Sequence, residues 1–207
     1  MHDGSHAAVM EAHWGGGVSP FGATWQKTMM WIFIVTDALL FSGLLIGYAY
    51  LRMSGQTPWP RTSAVFSIPF IALMTFILIT SSMTMGTAVT AARLGDGRKA
   101  LSNLVFTIVG GAAFLGCQAF EWSHLIREGA RLSSNPWGAP QFAACFFVLT
   151  GFHGSHVLSG LVILVITAIR TTMGKTPAQG VEMAGLYWHF VDLVWVFIFT
   201  LFYLLPS

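Results

Sequence analysis

The stretch TMMWIFIVTDALLFSGLLIGYAYL, residues 28–51, is the first of five apolar runs that together decide the fold class. A helix of about 20 apolar residues crosses the roughly 30 Å hydrocarbon core of a bilayer, and this run is long enough to do so. Its single charged residue is Asp37. The run therefore predicts a transmembrane helix.

Four further runs of membrane-spanning length lie at about residues 64–92, 101–123, 141–169 and 186–205. Short connections with helix-breaking proline or glycine separate them. We therefore expect an all-α, polytopic integral membrane bundle of five transmembrane helices over residues 28–207. Residues 1–27 are expected to form a polar, glycine-rich tail outside the membrane, with no resemblance to a cleaved signal peptide. His2, His6 and His13 invite a metal interpretation, but their spacing favours a flexible tail.

Composition excludes several classes of protein. Of the 207 residues, 55% are hydrophobic and 9% are charged, whereas soluble domains carry roughly 25% charged residues. The net charge of +2 is too small for the basic surface that binds nucleic acid. Cys117 and Cys145 lie in apolar runs without Cys-x-x-Cys spacing, which argues against a disulfide framework, a zinc ribbon and a dithiol redox motif.

Basic residues in the loops predict the orientation. The side that holds the N-terminus has six of them against four on the other side, which favours a cytoplasmic N-terminus and an external C-terminus. The six are Lys27, Arg93, Arg98, Lys99, Arg170 and Lys175. Small residues at four-residue spacing, as in Gly43-x3-Gly47, predict close packing of helices within the bundle or against a partner.

Ionisable residues inside the spans carry the functional information, because a charge at a helix centre costs roughly 3 kcal/mol. Asp37 lies near the middle of the first span without a basic neighbour in its own helix. It should stay protonated or hydrogen bond to another helix. Three interpretations remain open for this carboxyl group: bracing the bundle, handling protons and binding lipid.

Six more polar residues occur as pairs three residues apart, a spacing that places each pair on one helix face. If the faces converge, the bundle has a polar interior. Helix directions place the last pair nearer the inner face, the histidine pair near the middle and the first pair nearer the outer face. The pairs are Gln118 with Glu121, His153 with His156, and His189 with Asp192.

A metal site is the competing interpretation of these residues. Glu121-x-x-His124 matches one half of the Glu-x-x-His device of helical di-iron proteins, but the second half and two further glutamates are missing. We therefore expect no metal in this chain and keep a membrane di-metal oxygenase as the alternative from another class. A proton-coupled carrier that uses Asp37 is disfavoured because the sequence has no internal repeat.

Four segments resemble signatures of subunit III of the haem-copper oxidases. They are WIFIVTDALLF at 31–41, QAFEW at 118–122, FFVLTGFHGSHV at 146–157 and YWHFVDLVW at 187–195. They occur in the family's order and extend from the first span to the C-terminus. The chain is identified on these motifs as a member of that family, in its five-helix bacterial form.

The resemblance implies a chain without a redox centre, bound to the side of oxidase subunit I, which holds the haems and copper, reduces oxygen and pumps protons. Subunits II and IV and bound membrane phospholipid complete the expected partners. The family's role is to sustain proton uptake and stability during turnover. Its motif positions fall on Asp37, Gln118, Glu121, His153, His156, His189 and Asp192. Arg170 and Lys175 are candidate contacts for lipid phosphate or simply topology signals.

Two departures from the family affect these expectations. Many cytochrome c oxidase members have glutamate where this chain has Asp37, and aspartate resembles the quinol-oxidising branch. The two N-terminal helices of the longer form are absent, so lipid sites in that cleft do not transfer. We expect a cytochrome c oxidase, in which cytochrome c is the electron donor. The alternatives are subunit III of a quinol oxidase and an accessory subunit of nitric oxide reductase. The expected location is the bacterial cytoplasmic (inner) membrane.

Overall fold

A computed structural model describes residues 24–55, 59–139, 141–176 and 178–205. Five long helices dominate these ranges and each is long and apolar enough to cross a membrane. They are α1 (Trp25–Ser54), α3 (Ile68–Arg93), α4 (Gly97–Arg127), α5 (Gln141–Thr172) and α6 (Ala178–Ile198), with a short helix α2 (Thr62–Val65) after the first loop. A π-helical segment, Phe199–Leu204, continues α6. The described residues contain no named strand, and the predicted all-α membrane bundle is confirmed.

Four of the five long helices extend beyond the apolar runs that predicted them, whereas α3 begins at Ile68, inside the run predicted from residue 64. The last span begins at Ala178 rather than near residue 186, and α1 begins at Trp25, inside the segment expected to be tail. Because α6 begins earlier than predicted, it includes Glu182, whose carboxylate is paired with Lys27 and Arg93. An apolar run read from hydropathy ends at a charged residue such as this one. The helix itself continues, because the charge is paired with partners on neighbouring helices. The three tail histidines lie outside the described residues.

The connection between α3 and α4 is a tight turn at residues 94–96. Gly95 has φ +78°, a left-handed conformation that glycine adopts without strain. The Asp96 carboxylate then accepts a hydrogen bond of 3.0 Å from the backbone N–H of Lys99 and caps α4. This turn makes α3 and α4 antiparallel neighbours.

The last span lies at the centre of the bundle. Helix α6 packs against α3, α5 and α1, while α4 lies between α3 and α5. Trp188 of α6 is fully buried and its indole lies against two glycines, Gly111 of α4 and Gly160 of α5. The absence of side chains at these two positions lets a large ring fit between three helices.

The outer surface of the bundle is apolar. Large hydrophobic side chains such as Leu39, Phe76 and Phe106 are more than 60% exposed, which would be costly in water but suits contact with lipid. One end of the bundle is marked by Glu182 with its two cations, and the other by Arg52, whose guanidinium donates to the carbonyl of Leu205. These charged groups bracket the apolar belt of an integral membrane protein.

Candidate functional site

Asp37 and His156 form a cross-helix pair between α1 and α5. The carboxylate oxygen Oδ1 lies 3.3 Å from Nε2 of the imidazole, and Asp37 is only 5% exposed. On the other side of the ring, Nδ1 donates to the carbonyl of Phe152 at 2.8 Å. A carbonyl only accepts, so Nδ1 is the donor in this contact, while Nε2 faces the carboxyl group of Asp37. The second oxygen of Asp37 has no hydrogen-bond partner among the described residues.

His153, one turn before His156, has a different environment. It is fully buried, the edge of Phe114 lies against it with ring centroids 5.8 Å apart, and the indole of Trp195 lies at 5.1 Å. Neither ring nitrogen has a hydrogen-bond partner in the described part of the chain. Because aromatic rings enclose it, this imidazole is poorly placed to receive a haem iron or a copper ion.

Glu121 and Gln118 lie in the C-terminal part of α4. The hydroxyl of Tyr203, in the π-helical segment, donates to Oε2 of Glu121 at 3.3 Å. The other oxygen of Glu121 and both polar atoms of the Gln118 amide are buried without a partner among residues 24–55, 59–139, 141–176 and 178–205. Glu121 also lines a cavity of about 260 Å³ together with His124 and the rings of Phe66 and Phe70.

His189 and Asp192 lie on α6 beside Ser82 of α3. The Ser82 hydroxyl is 2.6 Å from Nδ1 of His189 and also lies close to the Asp192 side chain. Asp192 is 6% exposed and neither of its oxygens makes a regular hydrogen bond within the described residues. His189, in contrast, is exposed on the surface of the bundle.

The seven predicted residues therefore lie in separate places rather than in one network. Of the hydrogen bonds and ion pairs in the described ranges, only the one between Asp37 and His156 joins two of the seven. Nowhere in these ranges do three or more His, Cys, Asp or Glu side chains come together as a metal site. Arg170 and Lys175 are exposed at the end of the bundle that Glu182 marks.

Sequence reasoning missed several partners. Glu182 accepts from Lys27 at 2.6 Å and lies 3.0 Å from Arg93, so it connects α6 to α1 and α3. It was missed because the predicted span began after it. Tyr203 and Ser82 were missed because a tyrosine or serine in an apolar run has no distinguishing pattern.

Comparisons with known proteins agree with the motifs. The family model described as cytochrome c oxidase subunit III matches residues 5–207. A cytochrome bo(3) ubiquinol oxidase subunit 3 of Pseudomonas aeruginosa is 36% identical over all of this chain and 91% of its own length. A quinol oxidase subunit 3 of Bacillus subtilis is 37% identical over 84% of each chain. A cytochrome c oxidase subunit 3 of Corynebacterium diphtheriae is 35% identical over 83% of this chain and 84% of its own.

The match covers the five described helices and all four quoted motifs, in the predicted order. The alignments cover 84% to 91% of the relatives' own lengths, so the similarity extends over most of the subunit. This chain belongs to the cytochrome c oxidase subunit III family, the third subunit of the haem-copper oxidases.

Proposed function

We propose that this chain supports the catalytic subunit of a haem-copper terminal oxidase in oxygen reduction and proton uptake, without a redox centre of its own. The match of a subunit III family model to residues 5–207 carries this proposal. The surroundings of the two histidines on α5 agree with the absence of a redox centre. His153 is enclosed by Phe114 and Trp195, and His156 contacts Asp37 and a backbone carbonyl. The proposed complex serves aerobic respiration. Its haems and copper would belong to subunit I, and subunits II and IV would be further members of the complex.

Purification of the intact complex by an affinity tag on this chain tests the proposal. We expect haem and copper absorbance in the complex and oxygen consumption that depends on the companion subunits. This chain, separated from them, should hold neither iron nor copper in stoichiometric amounts. Stoichiometric metal retained by the separated chain would overturn the proposal in favour of a membrane di-metal oxygenase.

The pair formed by Asp37 and His156 is proposed as the functional centre of the subunit. It joins two helices inside the membrane through a contact between a carboxyl group and an imidazole, so it can brace the bundle, exchange a proton or respond to bound lipid. We expect Asp37→Ala to leave assembly largely intact while it impairs sustained turnover or local lipid binding. His156→Gln, which disturbs the same contact from α5, should have the same effect.

Two measurements together would count against a functional role of the pair formed by Asp37 and His156. Undiminished activity over many turnovers, together with unchanged bound lipid in both variants, would leave only packing for the pair. Thr36→Ala provides a matched control, because this neighbouring side chain on α1 donates only to carbonyls of its own helix.

The electron donor enters through other subunits, so it is proposed separately. We keep cytochrome c as the proposed donor, with quinol as the alternative, because relatives named for each donor match this chain. Rates of oxidation of reduced cytochrome c and of ubiquinol by the purified complex decide between them. An accessory role in a nitric oxide reductase would be supported if that reductase, rather than an oxidase, copurified.

Location and lipid contacts complete the proposal. We place the chain in a bacterial cytoplasmic membrane with the N-terminus inside, supported by the excess of basic residues on that side. Arg170 and Lys175 would then meet phospholipid phosphate at the inner surface. Charge-neutral variants of these two should retain less anionic lipid than Arg98→Gln, which removes an exposed cation from the same side.

A further inference from the structure

His189 lies at an unusual depth for an exposed imidazole. Glu182, with Lys27 and Arg93, marks one end of the apolar belt, and His189 follows it by about two turns of α6, roughly 10 Å along the helix. Its side chain is nevertheless exposed on the bundle surface. Polar side chains at this depth ordinarily face a bundle interior or a water-filled cavity, because hydrocarbon offers them no hydrogen bonds.

Only one of the two ring nitrogens of His189 has a hydrogen-bond partner among the described residues. Nδ1 is 2.6 Å from the Ser82 hydroxyl, while Nε2 has no hydrogen bond among the described residues. Ser82 also lies beside Asp192, whose two oxygens make no regular hydrogen bond there. Three polar side chains thus meet at the seam between α3 and α6, with fewer partners than their polar atoms require.

The surface around this seam is suited to helix packing. We define the His189 face by six residues that lie at helical spacing around the seam. Its apolar members are exposed, and a side chain at its glycine would meet nothing within 4 Å. The six are Ile79, Ser82 and Gly86 of α3 with His189, Leu193 and Val196 of α6.

We propose that a transmembrane helix of the catalytic subunit docks on the His189 face, with a hydroxyl, carboxamide or carboxyl side chain that hydrogen bonds Nε2 of His189. This inference rests on the proposed function for the identity of the partner. Acyl chains have no hydrogen-bonding groups, and phospholipid head groups lie at the interface rather than roughly 10 Å inside it. A side chain on a neighbouring helix supplies the missing partner at the required depth.

A photo-cross-linking amino acid at Leu193, in the intact complex, tests the position of the partner. We expect a cross-link to the haem-binding subunit. The matched control is Val109 of α4, which is also exposed but does not belong to the seam between α3 and α6. It should not give that cross-link.

Cross-linking from Leu193 only to lipid, to a second copy of this chain or to a different subunit would overturn the inference. The proposed function is tested independently by the composition of the same preparation. If no haem protein copurifies, the proposed function fails. If a haem protein copurifies but the cross-link goes elsewhere, the docking inference alone fails.

Substitution of His189 tests the hydrogen bond itself. His189→Leu should weaken retention of this chain in the complex by about threefold to about twentyfold on dilution in detergent, from the average to the largest value measured for hydrogen bonds between transmembrane helices. His189→Gln keeps a donor and an acceptor and should restore most of it. The control is His124→Leu, which removes an exposed imidazole near the C-terminal end of α4.

Membrane abundance of each variant, measured before solubilisation, separates failure to fold from failure to dock. Equal retention of the wild type and of His189→Leu, at equal membrane abundance, would overturn the role of His189. Equal loss in His189→Leu and His124→Leu would do the same, because it would show a general effect of removing an imidazole.

Discussion

Substitution of Gly111 by alanine tests the packing around Trp188. A Cβ atom added at this position would overlap the edge of the Trp188 indole and would lie 2.9 Å from Cδ2 of Leu161. The indole cannot withdraw easily, because Gly160 of a second helix lies against its Cε3 and Cζ3 atoms and its N–H donates to the Ser81 hydroxyl at 3.2 Å. Overpacking of this kind costs about 1–3 kcal/mol.

Gly116→Ala on the same helix is the matched control, because a Cβ atom there would meet nothing within 4 Å. Both changes gain up to about 1 kcal/mol of helix propensity, so their difference isolates the overpacking. We expect Gly111→Ala to be less stable than Gly116→Ala by about 1–3 kcal/mol. For a chain of this size, such a difference lowers the midpoint temperature of thermal unfolding by about 2 °C or more.

The assay heats the purified complex and follows the fraction of this chain that remains associated and soluble. Trp188→Phe removes the ring atoms that the new methyl group would meet, and Ser81 keeps its bond to the Leu78 carbonyl at 2.7 Å. The double variant should therefore lose less stability than the sum of the single changes. Equal midpoints for Gly111→Ala and Gly116→Ala, or strict additivity in the double variant, would refute the packing argument.

Two further changes test contacts that connect α6 to its neighbours. Trp195→Phe removes the indole N–H that donates to the Thr75 hydroxyl at 3.0 Å, so the same heating assay should show a loss of at least about 1 kcal/mol; an unchanged midpoint would contradict a structural role for this bond. Glu182→Gln removes the negative charge shared by Lys27 and Arg93, which are partly exposed, so we expect a loss below about 1 kcal/mol per pair that shrinks at high salt. A loss independent of salt would show that the contribution is not electrostatic.

The sequence by itself determined the fold class, the five spans and the family. Hydropathy is a local property of composition, and a run of about 20 apolar residues has few alternatives to a membrane-spanning helix. The motifs around Asp37, His153 and His189 then identified the family, because their order along the chain is readable without coordinates.

The tertiary structure decided which polar groups meet. Spacing of three residues placed His153 and His156 on one helix face, yet one is enclosed by aromatic rings and the other contacts Asp37 of a distant helix. It also showed that α6 begins early enough to include Glu182, and that His189 faces outward while Asp192 is buried. These outcomes depend on the rotation and depth of each helix, which are set by contacts such as Trp188 against two glycines, and no local pattern in the sequence encodes them.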